Sequence, residues 1–396
     1  MNQELNGDRL WGKSFISLTI CSFLLFLNLQ MLLSSFPAYV KNEFQAGDLQ
    51  VSLVTSVFAL SAILTRFLTA ALLKKWSRNL LLYAGLVIAA ITTGIYVLAG
   101  SVGSLLLMRA GYGIGFGMAS TILPTLVSQI IPLRRMGEGI GYFGLSTSLA
   151  MSIGPMIGLN MMKQAGFGML SAAGAVTVAL ILPILLLSRS IPPAPQIQSP
   201  GGEAGEKKSA KFNTKLLLPA LLNVTLSITY SGLLSFIALF GEFMHLAQVG
   251  LFFLFNAVTV IVIRPISGRV FDRRGPAAVL IPAAILVVAS MTVLSYAASM
   301  PLLILSALLY GLGFGAIQPT IQAWMLRSCA PEQYGTANSM FYNSTDFGVA
   351  IGAIILGAIA SATNYAIMYR YSAGFMILFL VLFVIFHVFT LRRKSS

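Results

Sequence analysis

Asp346 is the one carboxylate that falls well inside an apolar stretch of this 396-residue chain. It lies about two helical turns from the start of that stretch. A carboxylate in apolar surroundings, with a cation able to come and go beside it, is suited to taking up and releasing a proton. The alternative is a structural acid bonded to Ser344, Thr345 or a neighbouring helix. Arg109 is a cation that lies within another stretch. A guanidinium at mid-stretch costs about 2.5–3.5 kcal/mol on insertion scales, so it must face a polar cavity or a partner. Being only a few residues from the end, it could instead snorkel outward. Asp346 and Arg109 are therefore the candidates for proton coupling, with Glu138 and Glu242 as second choices.

Other chemistries lack their residues. Cys21, Cys329, His245 and His387 are scattered, giving neither a disulfide framework nor metal spacing. No glycine-rich phosphate loop ends in Lys-Ser/Thr. The expectation is a protein that is not an enzyme and carries no cofactor or metal.

The elements that must position these groups follow from composition. Hydrophobic residues make up 57% of the chain and charged residues 9%, against about 25% charged in a soluble domain. Apolar runs long enough to span a bilayer fall near residues 16–36, 50–72, 79–99, 103–127, 140–161 and 169–188. A second set falls near 216–238, 248–266, 277–297, 302–325, 338–360 and 371–391. The net charge of +14 then has an explanation other than nucleic acid. With both termini in the cytoplasm, most Lys and Arg lie on the cytoplasmic side, while Lys41, Lys163 and Arg370 lie opposite. Some of that positive charge is expected to touch anionic lipid headgroups.

The chain also repeats itself. Tyr112–Gly117 (YGIGFG) returns 198 positions later as Tyr310–Gly315 (YGLGFG), and the same offset pairs Arg66 with Arg264, Gly137 with Gly335 and Gly154 with Gly352. Ala307 is the mate of Arg109, so whatever Arg109 does is not duplicated. Between the copies, residues 191–213 are rich in Pro, Gly and charge and read as a flexible linker. The predicted fold is all-α and integral to the membrane: twelve transmembrane helices in two pseudo-symmetric six-helix bundles. Its units are 1–190, the cytoplasmic linker 191–213, and 214–396. A duplicated helical half is the plan of a secondary transporter, with its substrate site between the halves.

Three local patterns make the chain resemble the major facilitator superfamily. Gly268-x-x-x-Asp272-Arg273-x-Gly275, read as the loop between spans eight and nine, is similar to that family's loop signature, usually clearest between spans two and three. The first copy, Ala70 to Ser77, is degraded, with Lys74 where Asp272 stands in the second. By pseudo-symmetry Asp272 is expected near Gly137 and Glu138 at the start of span five, as a conformational latch. Gly154-Pro155-x-x-Gly158 in span five resembles the family's antiporter motif, and Arg109-x-x-x-Gly113 in span four resembles another. Gly154, Pro155, Gly158, Gly268, Asp272, Arg273 and Gly275 are thus the expected gating set.

The resemblance implies a cavity lined by spans one, four, seven and ten. Asn28, Gln30, Arg109, Tyr112, Asn223, Tyr230, Gln318 and Trp324 are its candidate residues, with Asn256 and Asn343 on flanking spans. Neutral donors and aromatics suit an amphipathic or weakly cationic compound better than a phosphorylated sugar. The expected activity is proton-coupled efflux of small amphipathic compounds by alternating access, as in drug:proton antiporters. Uptake of a nutrient, or export of a dedicated metabolite, siderophore or lipid, is the alternative. The expected partners are substrate, protons and membrane lipids, with no nucleic acid. The expected setting is a monomer in the inner (plasma) membrane.

Overall fold

A computed structural model describes residues 10–46, 48–73, 75–192, 213–246 and 248–395. The predicted linker lies almost wholly outside them, as do Lys74 and the side chain of Glu242. Among the described residues, twelve helices are long and apolar enough to cross a membrane. The first half contains α1 (Lys13–Glu43), α2 (Asp48–Leu72), α3 (Arg78–Gly94), α4 (Val102–Ile130), α5 (Met136–Ala179) and α6 (Ile181–Ser188), with α5 carrying the fifth span and, continued by the short α6, the sixth. The second contains α7 (Leu217–Phe243), α8 (Leu251–Arg274), α9 (Ala277–Ser295), α10 (Met300–Arg327), α11 (Tyr334–Ala362) and α12 (Tyr365–Ser395).

The two halves pack by the same scheme. In the first, α1 lies along α5, and α4 is held between α2 and α3; in the second, α7 lies along α11, and α10 is held between α8 and α9. The repeated Gly-x-Gly-x-Gly explains the second contact. A Cβ on Gly113 would stand 2.7 Å from the Phe58 carbonyl of α2, and one on Gly115 would stand 2.6 Å from the Ala89 nitrogen of α3. Their mates Gly311 and Gly313 meet Asn256 of α8 and Ala283 of α9 in the same way. Without hydrophobic drive between helices in lipid, close backbone approach of this kind carries the packing.

Two boundaries differ from the sequence reading. The expected loop between spans five and six is a single break inside α5 at Gly166, whose φ of 79° needs no Cβ. The stretch read as a loop from Gly268 onward is instead the last two turns of α8, which runs to Arg274 and stops at Gly275 with φ 80°. Charge ended the hydropathy there, but the helical hydrogen bonds continue until a residue free to take positive φ arrives.

Contact between the halves is made by α5 with α8 and α10, and by α11 with α2 and α4, which are pseudo-symmetric counterparts.

Candidate functional site

The ends of α4, α8 and α10 and the start of α5 form one face rich in arginine, the basic end. Here Asp272 reaches from α8 to the first turn of α5. Its Oδ1 accepts from the Gly137 amide at 2.8 Å and its Oδ2 from the Glu138 amide at 2.9 Å. A carboxylate there satisfies two amides that the helix itself leaves unpaired, and it faces the positive end of the helix dipole. The approach needs glycines: Gly268 packs on the Gly137 backbone, and a Cβ on Gly137 would lie 2.5 Å from the Phe271 ring.

Arg327, from the end of α10, completes the contact. It bonds Asp272 at 2.9 Å, donates to the Leu133 carbonyl at 3.0 Å and lies over the Phe271 ring. Glu138 is almost fully buried and takes Arg135 at 2.8 Å and Arg269 at 2.9 Å. Arg273, a neighbour of this cluster, is exposed.

Deeper in the membrane lies the second cross-half contact. Asp346 of α11 pairs with Arg66 of α2. Arg66 also donates from Nε to Ser120 Oγ at 3.2 Å and from Nη1 to Asn343 Oδ1 at 3.3 Å, and is 3% exposed. Asn343 in turn donates to the Ile63 carbonyl at 3.4 Å. Asp346 stands about 18 Å along α11 from its start, at 1.5 Å per residue, so the pair sits near the middle of a core about 30 Å thick.

Arg109 is elsewhere. It is fully buried inside the first bundle, its guanidinium 4.5 Å from the Phe36 ring centroid and 4.6 Å from that of Phe58. Its Nε donates to the Val54 carbonyl at 3.0 Å. Aromatic faces, the Val54 carbonyl and the Tyr96 hydroxyl surround this cation, its Nη2 has no hydrogen-bond partner among the described residues, and Asp346 takes Arg66 instead.

Several other candidates likewise pack between helices of one bundle. Tyr112 donates to Asn28 Oδ1 at 2.6 Å, and Asn28 to the Gly174 carbonyl at 2.8 Å, all buried. Asn223 donates to the Phe341 carbonyl, Ser344 and Thr345 of α11 at 2.8–2.9 Å. Trp324 packs on Phe383 and Phe386 of α12, and Tyr230 stacks on Phe314. Gln30 and Met31 lie against Gly154 and Gly158, so these glycines and Pro155 form the α1–α5 seam within the first bundle.

Gln318, from the predicted cavity set, borders an opening between the halves. It accepts from Arg264 at 2.9 Å, beside a narrow cleft lined by Gly144, Thr147, Gln322, Phe341 and Tyr342. The sequence reading assigned no role to Arg66 or Arg264. Their signal was the shared 198-residue offset, which marked them as a duplicated pair of intramembrane cations.

The family model of the Major Facilitator Superfamily matches residues 18–345 and 245–396. An uncharacterised MFS-type transporter of Methanocaldococcus jannaschii is 21% identical over 347 residues, covering 84% of this chain and 87% of its own. The quinolone resistance protein NorA of Staphylococcus aureus is 24% identical over 223 residues, 56% of each chain. Among solved structures, the human organic anion transporter MFSD10 (TETRAN) superposes with a TM-score of 0.75 at 17% identity, covering 93% of this chain and 98% of that one. The transporter FucP in its outward conformation gives 0.74 at 16% identity, covering 94% and 98%.

Proposed function

Because this chain belongs to the Major Facilitator Superfamily, we propose that it exports small amphipathic compounds by alternating access, driven by proton entry. The observation that carries the reading is the Arg66–Asp346 pair, which joins the two halves deep in the membrane. Opening the basic end separates α2 from α11 and must break that pair. Protonating Asp346 removes the Coulomb attraction and lowers the cost of separation, so proton uptake and opening become linked.

In this reading the halves 1–190 and 214–396 rock about the midplane, with 191–213 as the connection. The basic end is the cytoplasmic end, so the arrangement described is closed toward the cytoplasm. Asp272 and Arg327 hold that closure. The unit works as a monomer in the plasma membrane, both termini in the cytoplasm and its basic face against anionic lipid. The similarity to NorA favours export.

The test is accumulation of a quinolone and of ethidium in cells expressing this chain, with and without a protonophore. Accumulation below the empty-vector level, restored by the protonophore and by Asp346→Asn, supports the reading. Equal accumulation with and without the protein refutes efflux of these compounds and turns the search to uptake or a dedicated metabolite.

A further inference from the structure

Three arginines lie inside the described spans near the centre of the protein, and their surroundings differ. Arg66 has the carboxylate of Asp346, and Arg109 has two aromatic faces and a carbonyl. Arg264 has neither. It is 2% exposed, its side-chain hydrogen-bond partner among the described residues is the neutral Gln318, and its Nε has none. The mate of Asp346 in the first half is Ser148, so the duplication supplies no acid opposite Arg264.

The same guanidinium borders the cleft between the halves. Gly144 makes room for it: a Cβ there would run into Arg264 Nη1. The cleft is therefore bordered by a desolvated cation whose Nε has no partner among the described residues, together with Thr147, Gln318, Phe341 and Tyr342. Tyr342 also meets Arg66 on its other side, its ring centroid 5.7 Å from that guanidinium. Where the halves meet, Arg66 and Asp346 compensate one another, while Arg264 has no acidic partner among the described residues. One bound monoanion would supply it.

We propose that Arg264 is the anion subsite of the transport cavity, and that the compounds moved carry one carboxylate on an apolar or aromatic body. This rests on the transport reading above and names its substrate class. One carboxylate oxygen accepts from the free Nε and the other from the guanidinium edge beside it, while Tyr342 and Phe341 face the body. Planar, paired recognition of this kind is what a guanidinium does and an ammonium does not.

The test uses purified protein in lipid nanodiscs and two probes of equal shape, 1-naphthoate and 1-naphthamide, read by ligand-dependent thermal stability. Naphthoate is expected to bind about tenfold or more tightly than naphthamide, which is what a charge-assisted hydrogen bond to a desolvated cation is worth. Arg264→Gln should remove the difference and Arg264→Lys should reduce it. Gly144→Ala, which displaces the guanidinium without deleting it, serves if Arg264→Gln does not fold, and should also remove the difference.

Equal binding of the two probes overturns the proposal, as does naphthoate preference that survives both Arg264→Gln and Gly144→Ala. Protection by sodium phosphate or chloride equal to that by naphthoate overturns the substrate class, because the site would then take any small anion. Binding needs no proton gradient. Loss of protonophore-sensitive efflux with retained naphthoate preference therefore rejects the transport reading alone, and the reverse pattern rejects the anion subsite alone.

Discussion

Asp272→Asn should open the basic end. The carboxylate accepts two amide hydrogens of α5 at 2.8 and 2.9 Å and pairs with Arg327 at 2.9 Å. An asparagine of the same shape keeps one oxygen. It can satisfy one amide, but turns its own NH2 toward the second, and Arg327 loses its counter-ion. One charge-assisted hydrogen bond is worth about 1.5–3 kcal/mol. Arg327, about a quarter exposed, contributes little after solvent screening, and its bonds to the Leu133 and Arg134 carbonyls remain. The closed state should therefore lose about 2 kcal/mol, roughly a thirtyfold change in the closed-to-open ratio. Ser128 reports that ratio well. It is buried between α4 and α11, where Asn338 donates to its hydroxyl at 3.4 Å. In a Cys21→Ala, Cys329→Ser background, Ser128→Cys should react with a membrane-permeant maleimide about thirty times faster once Asp272→Asn is added. A change below about threefold in a variant of unaltered melting temperature would refute the latch. It would mean that the Gly137–Gly268 backbone contact and the Glu138–Arg269 pair hold the closure without Asp272.

The other predictions concern the arginines and one thiol. Arg66→Ala and Asp346→Asn should produce the same loss of pH-gradient-driven transport in proteoliposomes while melting normally; retained coupling in either would move the proton site elsewhere. Arg109→Ala should behave differently, since removing a guanidinium packed between Phe36 and Phe58 leaves a cavity worth about 3 kcal/mol. Its melting temperature should fall, and an unchanged melt with lost coupling would restore it as a coupling residue. Burial pushes the Cys329 thiol from 9.0 up to about 12. Its thiolate fraction at pH 7 is then about a thousandfold below that of an exposed cysteine, with maleimide rates slowed to match. Rapid labelling at pH 7 would contradict the closed surroundings of the α10–α11 connection.

Much of the architecture was readable before any coordinates. Composition required a membrane, run lengths gave the spans, and the 198-residue offset required two like halves. The same symmetry located the partner of Asp272: the signature sits in the second half, so its target had to be the start of span five rather than of span eleven. Glycine spacing in YGIGFG and YGLGFG likewise foretold a helix clasped on two sides, because only a missing Cβ lets backbones meet at 2.6–2.7 Å. Each of these inferences depends on position along the chain, which sequence states directly.

The pairing of the buried charges was decided by tertiary structure. Asp346 and Arg66 are 280 residues apart, and nothing in α2 or α11 alone says that they face one another. Helices that are apolar nearly all round carry no dominant polar stripe to fix their rotation. A shift of one residue turns a side chain by about 100°, from a cavity to a packed seam. Hence Arg109 reads equally well as a coupling cation and as a core residue until Phe36 and Phe58 are seen on either side of it. Arg264 shows the converse. Its sequence context is that of Arg66, but Ser148 stands where symmetry would place an acid, and only the assembled halves leave it bordering a cleft with a donor to spare.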